Sequence, residues 1–269
     1  MDVTNVVREH YDNAVEREWA RIEGRPEFII TTRFLERYIQ PGQRVLDIGG
    51  GPGRYSLWLA ERGCDVTLVD LSPQNVAFAK AQAQQRGLTI TALAGDARDD
   101  VAQGEFDHVL LMGPLYHLQA EADRVKAVEA ALRRLRVGGA LFVSFIQLYA
   151  GLIYALMDMP ELILAEREKA WFEAFVTDAD DFMGRGFTQV YNISPREVAP
   201  FMARFPLEKL HLFGQEGGLS PFENKLREQQ PPEVMAAWLD FAEKMAERED
   251  FLNWSEHLMY VGRKRGECC

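Results

Sequence analysis

The sequence predicts an α/β fold, a doubly wound and mostly parallel sheet with helices on both faces, and three observations predict it. Short apolar runs alternate with helix-length segments from residue 44 to residue 146, the rhythm of strand–helix–strand units. The run Val45-Leu46-Asp47-Ile48 passes directly into Gly49-Gly50-Gly51-Pro52-Gly53, where bare backbone permits a sharp turn and close approach of a ligand. A second apolar run, 65–69, ends at Asp70, a carboxylate placed to accept hydrogen bonds from the two hydroxyls of a ribose.

Residues 2 to about 40 read as two helices, broken near Gly24 and Pro26 and closed by Pro41-Gly42, and they form an N-terminal helical cap over residues 1–40. The core, residues 41–146, follows as strand 44–48, helix 55–62, strand 65–69, helix 73–86, strands 89–94 and 106–112, helix 122–135 and strand 140–146. Ser72-Pro73 supplies an N-cap with proline at the first helical position, and Gly87 stops that helix. Gly138-Gly139 is expected to stop the last helix in the same way. From residue 147 to 205 the alternation fails. Leu148, Tyr149, Leu152, Ile153, Leu156 and Met157 recur at helical spacing, Trp171, Phe172 and Phe175 give a second apolar face, and a helical insertion is expected. Ser194 to Glu197 forms a capping box that opens another helix, and Ser220 to Glu223 repeats the pattern. Residues 206–269 return strands at 207–213 and 257–262 that complete the core.

Charge narrows the function. A formal net charge of -11 and a pI of about 5.0 repel a phosphate backbone, so no nucleic-acid partner is expected. Cys64, Cys268 and Cys269 make no C-x-x-C pair, as expected of a reduced cytoplasmic protein with a frayed tail. Residues 1–9 are polar and acidic, unlike a secretory leader. Residues 137–157 form a stretch of 21 without a charge, long enough to span a bilayer. Its glycines, Ser144, Gln147 and two tyrosines fit a buried strand and an apolar helix better, so no membrane partner is expected. No metal is expected either: His and Cys lack zinc spacing, and Asp178, Asp180 and Asp181 lack the spacing of a calcium loop.

The glycine spacing selects the ligand. A dinucleotide fingerprint starting at Gly49 needs a glycine where Arg54 stands, which opposes a nicotinamide oxidoreductase, and no Gly-Lys-Ser/Thr ending marks a nucleotide triphosphate loop. A loop preceded by Asp47 suits a nucleoside with a cationic amino-acid tail, because carboxylates at strand ends favour positive charge. With these residues, the Gly95-Asp96-Ala97 turn and residues 106–118, the chain resembles class I S-adenosylmethionine-dependent methyltransferases of the branch acting on small molecules, over roughly residues 30–146.

The resemblance implies a Rossmann-like sheet of seven strands with an antiparallel edge strand, S-adenosyl-L-methionine as cofactor, and direct displacement at the sulfonium methyl by a small-molecule acceptor. A monomer or homodimer is expected. The alternative is a non-catalytic S-adenosylmethionine-binding or interaction protein. Gly49, Gly51 and Gly53 would cradle the cofactor, Asp47 would meet its ammonium, Asp70 with Leu71 its ribose, and Asp96 with Ala97 its adenine. Met112 would line the same site, and Tyr11 would fold over it, with Trp19 either joining that lid or packing. His117, in the loop after the fourth strand, is the candidate general base, and Tyr116 would position the acceptor. The opposing reading of His117 is a packed or capping histidine. Gly113-Pro114-Leu115-Tyr116 departs from the Asn/Asp-Pro-Pro-Tyr/Phe of base-modifying amino methylases. Arg33 is read as a ligand of the methionine carboxylate or a surface arginine. Tyr149, Tyr154, Trp171, Phe172 and Phe175 are read as acceptor-pocket walls or as the insertion's own core, with Tyr191 and Glu216 as further candidates for the pocket.

Overall fold

The computed structural model describes residues 3–177 and 179–266; Asp178, Cys268 and Cys269, along with Met1, Asp2 and Glu267, lie outside the described residues. The N-terminal cap is three helices, α1 (Val3–Asp12), α2 (Val15–Arg21) and α3 (Pro26–Glu36), where two are expected. The extra break falls at Asn13, whose amide turns back onto the Glu9 carbonyl at 2.7 Å, the local competition by which asparagine ends helices. Then come β1 (Arg44–Ile48), α4 (Arg54–Glu61), β2 (Asp65–Asp70), α5 (Pro73–Gln85), β3 (Thr91–Ala94), β4 (Phe106–Leu111), α6 (Glu121–Arg134) and β5 (Leu135–Gln147). Ser72 caps α5 as expected, accepting from the Asn75 N–H at 3.1 Å. Gly138-Gly139 does not end α6. The pair lies inside β5, where the register against β4 moves from Phe106↔Leu135 to His108↔Ala140, and a Cβ on Gly139 would collide with the Asp107 carbonyl. The glycines serve a bulge.

The insertion holds α7 (Ala150–Asp158), two short 3-10 turns and α8 (Lys169–Val176), followed by a hairpin, β6 (Asp181–Arg185) and β7 (Gln189–Ile193). The chain ends with α9 (Pro195–Met202), β8 (Leu207–Gly214), α10 (Glu223–Gln229), α11 (Pro232–Met245), α12 (Glu249–Leu252) and β9 (His257–Lys264). Ser220 is no capping residue: it starts a 3-10 turn, and its hydroxyl accepts from the Glu256 N–H at 3.3 Å.

The sheet has nine strands where seven are expected, the two added ones being the hairpin. Its order is β3-β2-β1-β4-β5, with β1 to β5 parallel. Along Ala140 to Ile146, β5 pairs antiparallel with β9, which carries β8. Its last two residues, Ile146 and Gln147, pair parallel with Asn192 and Ile193 of β7. Since β9 holds one edge of Ile146, β7 must take the other, which β4 vacates after Leu111. The hairpin therefore stands above the loop that follows β4. Helices cover both faces. Leu46, Val109, Leu141 and Val143 pack with α6 and α9 on one side, and Val45, Leu110 and Phe142 with α3, α4 and α11 on the other. Phe34 of α3 stacks on Phe213 of β8 at 3.7 Å between ring centres. Among the described residues no helix is long and apolar enough to cross a membrane; residues 137–157 divide between β5 and α7.

Candidate active site

β1, β2 and β4 end at one edge of the sheet, and the turns after them build the site. Gly49 and Gly51 adopt φ of +76° and +57°, the left-handed region that costs other residues about 1–2 kcal/mol. They are glycine for different reasons. A Cβ on Gly49 would collide with the Pro114 ring, so its absence lets the loop after β4 settle onto the loop after β1. A Cβ on Gly51 would meet nothing within 4 Å; backbone there borders open space. Gly53 caps α4, close to Ala79.

Asp70 closes β2, buried. Its Oδ1 accepts from the Ser72 N–H at 2.9 Å and the Asn75 amide at 3.1 Å, and its Oδ2 accepts from the Gly51 N–H at 2.8 Å. Oδ2 thus keeps one acceptor position. Burial lifts the Asp70 carboxyl above the usual carboxylate range against these three donors. Leu71, half-buried, links it to Ser72, whose hydroxyl contacts Asp12 at the end of α1. Asp47 lies beneath the glycine loop, 1% exposed, and accepts from the Ser56 hydroxyl at 2.7 Å. Burial pushes it up to about 7, with Asp70 adding to the rise.

Asp96 is more engaged than its expected adenine contact requires. Its carboxylate takes the Arg98 backbone N–H and Nε, both at 2.9 Å, and Nη2 at 2.6 Å. Burial alone would raise this carboxyl, but Arg98 holds it below the usual value. Arg98 also reaches Asp123 at 3.0 Å and Thr4 of α1 at 3.0 Å. Ala97 is half-buried against the core.

In the loop after β4, Met112 is half-buried and Pro114 to Tyr116 form a 3-10 turn. His117 is buried, with Nδ1 3.1 Å from the Gln189 carbonyl at the start of β7 and Nε2 2.8 Å from the Tyr11 hydroxyl. A carbonyl only accepts, so Nδ1 carries the proton and Nε2 accepts from Tyr11. Burial pushes this imidazole down to about 4 and raises the Tyr11 phenol well above its ordinary value. Phe187, at the hairpin turn, lies 5.7 Å from the His117 ring and 5.8 Å from His10. First helix, motif loop and hairpin thus converge on one histidine.

Several sequence candidates lie elsewhere. Trp19 packs: its ring takes the Arg54 guanidinium at 3.5 Å and Phe78 at 5.5 Å. Arg33 pairs with Asp240 and Glu243 of α11, each at 3.0 Å, away from the glycine loop. Tyr149, Trp171, Phe172 and Phe175 pack on one another, and Trp171 also fills the space left by Gly151. Tyr154 is exposed, with its hydroxyl on Met159. Tyr191 is buried under the Arg124 guanidinium, 3.5 Å above its ring. Asp180 pairs with Arg196 at 2.6 Å.

The other half of the same sheet edge carries an ionic cluster that sequence spacing does not reveal. Glu27 from the first turn of α3, Glu216 just beyond β8 and His257 at the head of β9 place ligand-type atoms within 4.8 Å of one another. Arg21 donates to both Glu27 oxygens, at 2.8 and 3.4 Å. Glu216 accepts from the His257 N–H at 3.1 Å and from Nδ1 at 2.7 Å. Burial opposes a charge on His257, yet Glu27 and Glu216 hold it at about 9. Arg25 and Arg227 flank Glu223, each at 3.1 Å. Tyr116 is half-buried beside His117, with 4.7 Å between ring centres, and burial raises its phenol.

Residues 45–139 match the methyltransferase domain family. The ubiquinone biosynthesis O-methyltransferase of Cereibacter sphaeroides is 39% identical over 104 residues, 38% of this chain and 41% of that protein. The magnesium-protoporphyrin O-methyltransferase of Rhodobacter capsulatus is 32% identical over 136 residues, 44% of this chain and 60% of that protein. The chain spans about half the length of the curated relatives it matches. Among solved structures, the magnesium protoporphyrin IX methyltransferase of Synechocystis PCC 6803, with bound SAH, superposes with a TM-score of 0.59 at 14% identity, covering 98% of this chain and 100% of that one. The putative methyltransferase in complex with the Haloferax volcanii Trm112 activator superposes with a TM-score of 0.60 at 18% identity, covering 98% and 99%. These two likenesses show the fold.

Proposed function

We propose that this chain, which carries at residues 45–139 a domain of the methyltransferase family, transfers a methyl group from S-adenosylmethionine to a hydroxyl of a small molecule. One observation carries the reading: Asp70 anchors the Gly51 N–H and keeps a free acceptor position beside the one loop glycine that borders open space. That pairing fits a ribose. The O-methyltransferase names of the relatives support oxygen as the atom methylated.

When bound, the cofactor supplies a methyl group on a sulfonium, a leaving group that needs no activation by the protein. The protein's part is to hold, align and exclude water. Asp70 and Leu71 would bind the ribose, and Gly49, Gly51 and Gly53 would bring backbone against the amino-acid tail. Asp47, beneath the loop, favours the ammonium by charge rather than by contact. Ala97 and Met112 would flank the adenine, and Asp96 would meet its amino group only by sharing the carboxylate with Arg98. His117 and Tyr11 form a relay. Tyr11 would take the acceptor's hydroxyl proton while passing its own to Nε2 of His117, and Tyr116 would orient the acceptor from the opposite side. The absence of a C-x-x-C pair supports a reduced, cytoplasmic protein, the net charge of -11 supports a small molecule over a nucleic acid as partner, and the chain would act as monomer or homodimer.

Calorimetry with S-adenosylmethionine and S-adenosylhomocysteine, followed by mass-spectrometric detection of methylated product over a panel of phenols and carboxylic acids, tests this. Saturable binding with turnover on an oxygen acceptor is expected. Failure to bind either nucleoside would overturn the reading.

A further inference from the structure

We propose that the cavity between the first two helices and the β6–β7 hairpin takes the acceptor by a carboxylate held on Arg17 and Arg185, so that the acceptor is a small aromatic hydroxy acid. The cavity measures about 520 Å³, inside the roughly 300–1,000 Å³ usual for small-ligand sites. Glu9 and His10 of α1, Arg17 of α2 and residues 185 and 187–189 of the hairpin help to line it. In a chain of net charge -11, this lining carries two guanidiniums against one carboxylate, that of Glu9.

Both guanidiniums have donors to spare. Among the described residues Arg185 makes no side-chain hydrogen bond and no ion pair. Arg17 donates from Nη2 to Nε2 of His10 at 3.3 Å, and burial, with Arg17 adding to it, keeps that imidazole below its ordinary value. The carboxylate beside Arg17, that of Glu18, stands 3.6 Å from its Nε and is shared with Arg21 at 3.2 Å. A planar guanidinium fork left with free N–H groups matches a carboxylate. Thr188, 6% exposed, belongs to the same lining, and its hydroxyl has no hydrogen-bond partner, an uncommon state for a buried polar group. Gln189 accepts from Gln119 at Oε1, 3.1 Å away, which leaves its own amide donors over. Phe187 is exposed and offers a ring face. These groups suit an anion carried on an aromatic body.

The cavity adjoins the Tyr11–His117 pair. Gln189 lines it, and the Gln189 carbonyl takes Nδ1 of His117. Phe187 stands between His10 and His117, and the His10 ring meets Tyr11 edge-on at 5.2 Å. An acceptor held by its carboxylate at Arg17 and Arg185 would turn its hydroxyl towards that pair; the carboxylate is a handle and does not react. That the bound acid is methylated rests on the methyl-transfer reading; its binding does not.

The test titrates the full chain, with and without S-adenosylhomocysteine, with salicylate, para-hydroxybenzoate and para-hydroxyphenylacetate, each beside its methyl ester. At least one acid is expected to bind saturably and at least tenfold more tightly than its ester, and Arg17→Gln combined with Arg185→Gln is expected to abolish that preference. Arg8→Gln, which removes a charge of α1 outside the cavity, is expected to leave the preference within twofold. Circular dichroism melts show that each variant is folded, and the single variants stand in if the double one is not. No binding of any of the acids, an ester bound as well as its acid, or a preference untouched in the folded variants overturns the proposal. Nucleoside affinity and product analysis of the same samples separate the outcomes. Methylated esters without preference for the acids remove the carboxylate site and leave methyl transfer standing; acids bound through Arg17 and Arg185 by a chain that binds neither nucleoside remove the methyl-transfer reading and leave the anion site.

Discussion

The Tyr11 hydroxyl donates to Nε2 of His117 across 2.8 Å, joining residues 106 positions apart. If this pair moves the acceptor's proton, Tyr11→Phe and His117→Ala will each lower turnover by roughly a hundredfold, a typical share for general base catalysis. Because the two act as one unit, the double variant will be no slower than the worse single. Single-turnover rates at saturating cofactor check this, and unaltered rates would retire the relay.

The low proton affinity of His117 has its own signature. Held at about 4 by burial, His117 is neutral at physiological pH and contributes no inflection to the rate near 6.5. Its folded pKa is below its unfolded one, so the unfolded chain binds the extra proton. The His117 contribution to stability therefore declines as pH falls from 6.5 towards 4, by at most roughly 3 kcal/mol. Urea melts at pH 7 and pH 4.5 should show this loss, and His117→Gln should reduce it.

Asp70→Ala should weaken cofactor binding at least tenfold, about 1.4 kcal/mol, by removing a charge-assisted hydrogen bond and the anchor of the Gly51 N–H. Isothermal calorimetry reads it directly. An unchanged Kd would mean the ribose lies elsewhere.

Asp47 couples cofactor binding to protons. Its carboxyl, lifted to about 7, is largely protonated at pH 6, and a cationic ammonium above the loop favours its ionised form. Binding should release close to one proton at pH 6 and almost none at pH 8, with affinity about tenfold weaker at the lower pH. Calorimetry in two buffers of different ionisation enthalpy counts that proton. Equal affinity at both values would show that Asp47 does not sense the ligand.

Gly49→Ala and Gly51→Ala should part company. The first drives a methyl into the Pro114 ring and should lower the melting temperature by several degrees. The second adds only left-handed strain to the fold but enters the open space, so it should spare stability and weaken the nucleoside at least tenfold. Thermal melts paired with binding of S-adenosylhomocysteine distinguish them.

The proposed donor half was legible because its signals are local: an apolar run, a glycine turn, a strand-end aspartate and a Ser-Pro cap fall within residues 45–73. The hairpin was not. Residues 181–193 carry Gly184 and Gly186 beside β-prone Val190, Tyr191 and Ile193, a short strand signal that directly follows the stronger helical periodicity of the insertion. Gly138-Gly139 looked like a helix stop because a bulge and a C-cap ask the same of a glycine. Glu27, Glu216 and His257 have no shared sequence signal, since only the folding of β8 and β9 beside α3 brings them together. The Tyr11–His117 contact has no sequence signal either, because the fold alone brings α1, the loop after β4 and the Gln189 carbonyl together.

The hairpin touches the central sheet through only two residue pairs, at Ile146 and Gln147, and it occupies an edge that the parallel strands leave free. Its inner strand is tied to the interior, since Tyr191 and Ile193 are buried in the core and the Gln189 carbonyl meets His117, whereas its outer strand pairs with β7 alone. Under the methyl-transfer proposal, exchanging only its outer strand and turn, residues 181–188, would alter the surroundings of His117 at Phe187 and leave the parallel strands unchanged.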